Sequence, residues 1–230
     1  MDLFQRYLDV VSLVGEHTWF RKSGFVSCDN DVAEGGVLIS GLNPSMPIND
    51  LYVPTRSYVA PFKNPGIRYF QKLREIIPDE LVDSTAYLDL FPFYEYSQDT
   101  LLRHIRLNPT IAAKTLAVTK GEIERLKPKL IIIASSASYP FWGAEKPTWM
   151  GYSFEELAGD ALPYISSLGL NVKRITGFRK ESDIIGEKDQ CRLNGSLAVF
   201  YRHERAITGT QPRLDAEAVR ALYNYKALLF

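Results

Sequence analysis

Charge of one sign is missing from this sequence in any net sense: lysine and arginine total 27, aspartate and glutamate total 27, and the formal net charge is zero. No overall field draws such a chain to a polyanion. This weighs against bulk binding to duplex nucleic acid, where phosphate contacts supply much of the affinity and leave a basic footprint. A local basic patch stays compatible with neutrality, because net charge says nothing about distribution. Cysteine is equally scarce. Cys28 and Cys191 are the 2 present, far apart and outside any metal-ligand spacing, so they read as reduced thiols and give no basis for a disulfide framework or a metal site. No glycine-rich phosphate loop of the Walker or dinucleotide type follows any predicted strand, so neither a nucleoside triphosphate nor NAD is expected, and no cofactor is called for. Long hydrophobic runs are lacking too. Residues 1 to 15 interleave charged and apolar side chains, which suits neither a signal peptide nor a membrane span; no membrane partner is expected and the cytoplasm is the default location.

The chain does carry enough apolar matter for a large core. With 230 residues, 46% of them hydrophobic, one domain is sufficient. No stretch rich in Pro, Gly or Ser marks a linker and no repeat is visible, so residues 1–230 are expected to form a single domain. Leu3, Tyr7, Leu8 and Val11 recur at helical intervals over residues 2 to 14. Val37 to Ser40 makes a short β-rich run that stops at Gly41. Helical spacing returns over residues 66 to 77 and ends before Pro78, and a second strand is predicted over 86 to 91. A helical stretch from about 98 to 126 is divided by Asn108-Pro109. The strongest strand signal is Leu130 to Ala134, whose lack of alternation implies burial on both faces. Further strands are predicted over 171 to 176 and 196 to 201, and a last helix over 215 to 229. Strands separated by helices of this length favour crossover units. The expected class is α/β, a three-layer α/β/α sandwich with a mainly parallel central sheet of four to five strands.

Ligands in such sheets sit where strands end at their carboxyl edge, which directs attention to residues 41–47, 91–97, 135–143 and 201–209. The first of these stretches completes the run Val37-Leu38-Ile39-Ser40-Gly41-Leu42-Asn43-Pro44-Ser45, a strand passing straight into a small-residue turn. Glycine lets backbone approach a ligand closely, proline stiffens the loop, and a carboxamide can orient water without acting as a strong base. This segment resembles the first signature of the uracil-DNA glycosylase superfamily, a strand followed by Gly-x-Asn-Pro or Gly-x-Asp-Pro.

The resemblance implies a role for several residues. Asn43 would hold the attacking water, while Gly41, Leu42, Pro44 and Ser45 shape the base pocket. The run Leu88-Asp89-Leu90-Phe91-Pro92-Phe93 falls where the family places an aromatic that stacks on the extruded base, which nominates Phe91, with Phe93 in reserve. Residues 127 to 135 resemble the family's third strand, introduced by Leu-x-Pro, and carry fold information alone. Arg202-His203-Glu204-Arg205 stands where the last signature supplies a histidine to the leaving base. His203 would stabilise charge on that base, and Arg202 and Arg205 would face phosphate. Glu204 and Arg205 depart from the family's Pro and Ser. Asparagine rather than aspartate at position 43 suggests the mismatch-specific or single-strand-selective branches. The implied activity is hydrolysis of an N-glycosidic bond to uracil or a related damaged base, without metal or organic cofactor. The implied partner is DNA, single-stranded or mismatched.

Two other classes stay open. A non-catalytic module on the same fold would hold a free base or nucleotide against the aromatic residues of 52–69, 91–96 and 139–142. A serine hydrolase would use Ser135, Ser136 or Ser138, then Asp160 or Asp183, then His203, although no glycine flanks those serines as a nucleophile elbow requires.

Overall fold

A computed structural model of the chain describes residues 2–13, 24–28, 30–45, 55–56, 61–146, 148–157, 163–179, 191–201 and 214–225. Helix α1 (Leu3–Ser12) opens it, with Leu3, Tyr7, Val10 and Val11 buried at helical spacing. The Asp2 side chain caps this helix, accepting a hydrogen bond from the Gln5 backbone N–H at 2.7 Å. Then come strands β1 (Val26–Ser27), β2 (Val37–Gly41) and β3 (Thr55–Arg56), helix α2 (Arg68–Arg74) and strand β4 (Thr85–Asp89). Helices α3 (Gln98–Leu107) and α4 (Pro109–Leu126) follow, divided at Asn108 as the Asn-Pro step predicts. After strand β5 (Leu130–Ile133) and the short helix α5 (Tyr139–Trp142), the chain forms β6 (Tyr152–Glu156), α6 (Pro163–Ser167), β7 (Asn171–Phe178), β8 (Leu197–Phe200) and α7 (Ala216–Asn224).

The main sheet has 6 strands in the order β4-β2-β5-β8-β7-β6, and β1 pairs with β3 in a separate 2-stranded sheet. Strands β4, β2, β5 and β8 run parallel, whereas β7 is antiparallel to β8 and β6 antiparallel to β7. The expected sandwich around a mainly parallel sheet of four to five strands is therefore corrected to a mixed sheet of 6 strands. The reason lies in burial. Every residue of β5 and β8 is buried, as parallel strands covered on both faces demand. Strand β7 buries only Val172 and Ile175, one toward each face of the sheet, and its other residues stay partly or fully exposed, so this margin lacks the full cover on both faces that parallel strands need. Its Lys173 and Arg174 meet Glu156 and Glu155 of β6 in ion pairs of 2.6 and 3.1 Å. Those cross-strand pairs fix the register of the edge ribbon and cover the sheet margin with charge.

Side-chain alternation divides the core between the two faces of the sheet. Leu38, Leu88, Ile131, Ile133 and Ala198 pack with α1, α3 and α4 on one side. Val37, Ile39, Tyr87, Leu130, Ile132 and Val199 pack with α2, α6 and α7 on the other. Tyr7 ties α1 to α4 through a buried 2.7 Å hydrogen bond with Thr119, whose hydroxyl also donates to the Leu90 carbonyl at 2.9 Å. The free edge of β4 is satisfied by a side chain: Asn30 accepts from the Tyr87 N–H at 3.0 Å and donates to the Tyr87 carbonyl at 2.8 Å. An edge strand that would otherwise invite another chain is thus closed locally.

Elsewhere, the helix expected over 66–77 is confined to Arg68–Arg74, because Ile76 and Ile77 enter the core through a turn before Pro78. The strand expected over 86–91 ends at Asp89, although the Leu90 and Phe91 N–H groups still bond to the Gly41 and Leu42 carbonyls at 3.1 and 2.9 Å. Among the described residues no helix is long and apolar enough to cross a membrane.

Candidate functional site

The order of the parallel strands locates a crevice. From β2 the chain passes through α2 to β4 on one side, then through α3 and α4 to β5 on the other, so the winding direction reverses between β2 and β5. Loops leaving two such strands diverge to opposite faces and open a hollow at the carboxyl edge. A cavity of about 520 Å³ stands there, lined by Gly41 to Ser45 after β2, by Ala134 and Ser135 after β5, by Tyr87 and Asp89 of β4, by Ile67 to Phe70 and Lys72 at α2, and by Gln98 of α3. Its size suits a small-molecule ligand or one nucleotide's base and sugar.

Asn43 enters this cavity half-buried. Its Nδ2 donates to the Pro44 carbonyl at 2.9 Å and to the Phe93 carbonyl at 3.4 Å. Both partners are acceptors, so the amide orientation is fixed by chemistry: nitrogen toward the backbone, with Oδ1 left as the acceptor. Among the described residues no donor engages that oxygen. The loop is held in place from the other side by the Glu95 N–H, which bonds to the Pro44 carbonyl at 3.3 Å, and by the bridge between Ser45 and Glu95.

The residue that the sequence did not bring forward is Asp89, the last of β4. It is paired in register with Gly41. A Cβ on Gly41 would collide with Asp89 Oδ1 and would stand 2.6 Å from the Tyr87 hydroxyl; glycine is needed here to make room for a carboxyl group beneath the loop. Tyr87 donates to Asp89 Oδ1 at 2.9 Å, and the Tyr69 hydroxyl lies 3.4 Å from that of Tyr87. No lysine, arginine or histidine among the described residues forms an ion pair with Asp89. Burial accordingly pushes its carboxyl up to about 7, against the smaller lowering effect of the Tyr87 hydrogen bond. Burial, with the Asp89 charge second, raises the Tyr87 phenol well above its usual range, so it remains a donor. A carboxyl desolvated without a cation costs stability, and such groups concentrate where chemistry or recognition needs them. Replacing Gly41 with alanine should drive Asp89 and Tyr87 from their places; urea denaturation should show a loss of roughly 1–3 kcal/mol, the usual cost of overpacking a filled site.

Of the residues singled out from the sequence, Gly41, Leu42, Asn43, Pro44 and Ser45 come together on the cavity wall. Phe91 and Phe93 do not. Both are fully buried in the core on the α1, α3 and α4 side, Phe91 with its ring centroid 4.9 Å from that of Phe141. The aromatic walls of the cavity are instead Tyr69, Phe70 and Tyr87, set edge to face with centroids 4.9 to 6.0 Å apart. Arg202, His203 and Arg205 lie outside the described residues, as do Asp160 and Asp183. Ser135 lines the cavity, but its hydroxyl accepts a 3.1 Å hydrogen bond from the Gln98 amide, a donor that cannot take up a proton. Among the described residues, no group of three or more His, Cys, Asp or Glu side chains could hold a metal ion.

Fold and site together define a mixed α/β protein whose ligand crevice lies at a reversal of strand order and contains a desolvated acid. No protein-family model matches this chain, no curated protein matches it in sequence, and no solved structure matches its fold.

Proposed function

We propose that this protein is a base-excising N-glycosylase, resembling the uracil-DNA glycosylase superfamily, which takes a base extruded from DNA into the cavity at the carboxyl edge of its sheet. The observation that carries the reading is the placement of Asn43. The one residue that the family signature nominates for the attacking water lines a cavity of about 520 Å³, with its amide nitrogen anchored and its oxygen engaged by no donor among the described residues.

The chemistry asks for little more. As the bond between the base nitrogen and C1′ opens, its electron pair leaves with the base and the sugar becomes cationic. Water held by Asn43 Oδ1 adds its oxygen to C1′ and gives up a proton. Asp89, whose carboxyl burial pushes up to about 7, gives its proton to the departing base, and the proton that the water releases returns to the Asp89 carboxylate. General acid assistance of this kind contributes about 100- to 10,000-fold. Tyr69, Phe70 and Tyr87 provide π-faces against which a flat heterocycle packs. The role that the resemblance gives His203 falls outside the described residues.

The test is incubation with oligonucleotides containing uracil, hypoxanthine, xanthine or a G·T mismatch, followed by alkaline cleavage of abasic sites. Strand scission at one of these bases is the expected outcome. Absence of scission with all four, together with saturable binding of the free bases, would favour the non-catalytic module, because the same cavity would then hold a base without cutting it.

A further inference from the structure

Asp89 and Tyr87 line a second, small cavity as well as the large one. It measures about 10 Å³, and its other walls include Tyr7 of α1, Ser27 of β1 and Cys28 just beyond it. That is room for one water molecule. The polar groups around it have hydrogen-bonding capacity to spare. The Ser27 hydroxyl is buried and has no hydrogen-bond partner among the described residues, a costly state for a polar group unless the space beside it holds one. Thr119 has a single proton and two carbonyls to give it to, those of Leu90 at 2.9 Å and Thr115 at 3.3 Å. In the 2.7 Å bond between Tyr7 and Thr119 the phenol is therefore the donor, and the Tyr7 oxygen is left able to accept. Asp89 accepts from Tyr87 at Oδ1, and among the described residues no donor engages Oδ2.

From this arrangement we infer that the small cavity is a water site, in which one molecule accepts from the Ser27 hydroxyl and donates to the Tyr7 oxygen and to Asp89 Oδ2, and that Ser27 is thereby a positioning residue for the acid. Such a water has the usual complement of partners for a buried one. A cation could use the oxygens but not the Ser27 proton, which needs an acceptor. The water site stands on the cavity and its walls, whereas its catalytic use rests on the glycosylase reading and deepens it. Burial alone favours the neutral carboxyl, and a hydrogen bond donated to Oδ2 favours the ionised one. The water thus limits how far burial raises Asp89 and keeps the acid able to release its proton at neutral pH. The other ionisable groups around Asp89 are Tyr7, Cys28 and Tyr87 and, across the large cavity, Arg68, Tyr69 and Lys72 of α2. Lys72 is paired with Glu75 at 2.7 Å, so the water has no competing ion pair to Asp89 among the described residues.

The test is a pH titration of the Asp89 carboxyl carbon by NMR in the parent, in Ser27→Ala, which removes the anchor of the water, and in Ser27→Val, whose side chain fills its place. Both variants are expected to raise the midpoint by about one pH unit, about 10-fold in proton affinity, as loss of one hydrogen bond to a carboxylate implies. In urea denaturation Ser27→Ala should lose more stability above about pH 7, where the parental carboxyl is ionised, than at pH 4. A purely structural role for Ser27 predicts the same loss at both. Where base is released, the descending limb of the pH–rate profile should move up with the midpoint. A midpoint that stays in place in both variants overturns the inference even if base release persists. So does a parental midpoint that falls when sodium chloride replaces choline chloride at constant ionic strength, since a cation then occupies the cavity. Conversely, midpoints that move as expected in a protein that releases no base support the water site and remove the glycosylase reading.

Discussion

Replacing Asn43 with alanine is expected to slow base release in single-turnover assays by about 100- to 1000-fold, the usual consequence of deleting one preorganised polar group that acts on the transition state. The stability cost should be far smaller. The Nδ2 bonds to the Pro44 and Phe93 carbonyls at 2.9 and 3.4 Å are partly open to solvent, so their loss should subtract about 1 kcal/mol in urea denaturation. The loop has other ties, namely the bonds from Glu95, Leu90 and Phe91 to the Pro44, Gly41 and Leu42 carbonyls, so the cavity should keep its shape. The contrast between a large kinetic loss and a small thermodynamic one separates a water-holding residue from a turn residue. A variant that released base at the parental rate would remove Asn43 from the reaction and, with it, the main support for the resemblance.

What the sequence could disclose of this arrangement follows from which interactions are local. Leu130 to Ile133 declares a strand buried on both faces because four successive aliphatic residues leave no side for water, and the structure places it at the middle of the parallel strands. The break at Asn108-Pro109 and the turn after Gly41 are equally local. The edge ribbon is different. Glu155, Glu156, Lys173 and Arg174 each look like solvated surface charge, and only their antiparallel register turns them into two cross-strand pairs. Strand β6 could have been sought from that reversed order of opposite charges, acid-acid in one run and base-base in the other.

The site was legible to the same extent. The turn Gly41 to Ser45 is a continuous segment and could be read whole. The aromatic wall is not continuous: Tyr69 and Phe70 come from α2 and Tyr87 from β4, and no spacing in the chain announces that they meet. Choosing Phe91 followed the order of the motif but missed the side of the sheet, since the chain beyond Asp89 carries Leu90, Phe91 and Phe93 into the core under α1, α3 and α4. A signal for Asp89 did exist. An acid between Leu88 and Leu90, at the end of a strand whose other residues are all buried, contradicts its surroundings, and such contradictions collect at functional sites.

Asp89→Asn should therefore change the protein in two opposite directions. In the native state the carboxyl titrates at about 7, against roughly 3.9 in an unfolded chain. Between these values the native state binds more protons than the unfolded one, so stability falls as pH rises from about 4 to about 7 and stays at the lower level above it. Asparagine has the size of the protonated acid and no charge to desolvate. The variant should match the parent near pH 4 and exceed it at pH 8, by roughly 1–3 kcal/mol when the shift is discounted for the solvent that reaches the cavity. Activity should move the other way. If the protonated carboxyl assists the departing base, the parental rate declines as pH rises through about 7, and the variant loses about 100- to 10,000-fold in rate together with that descending limb. Denaturation at pH 4 and pH 8 and a pH–rate profile on both proteins check the two halves separately. A variant no more stable than the parent at pH 8 would mean that Asp89 is not desolvated, and a descending limb that survived in it would assign the proton to another group.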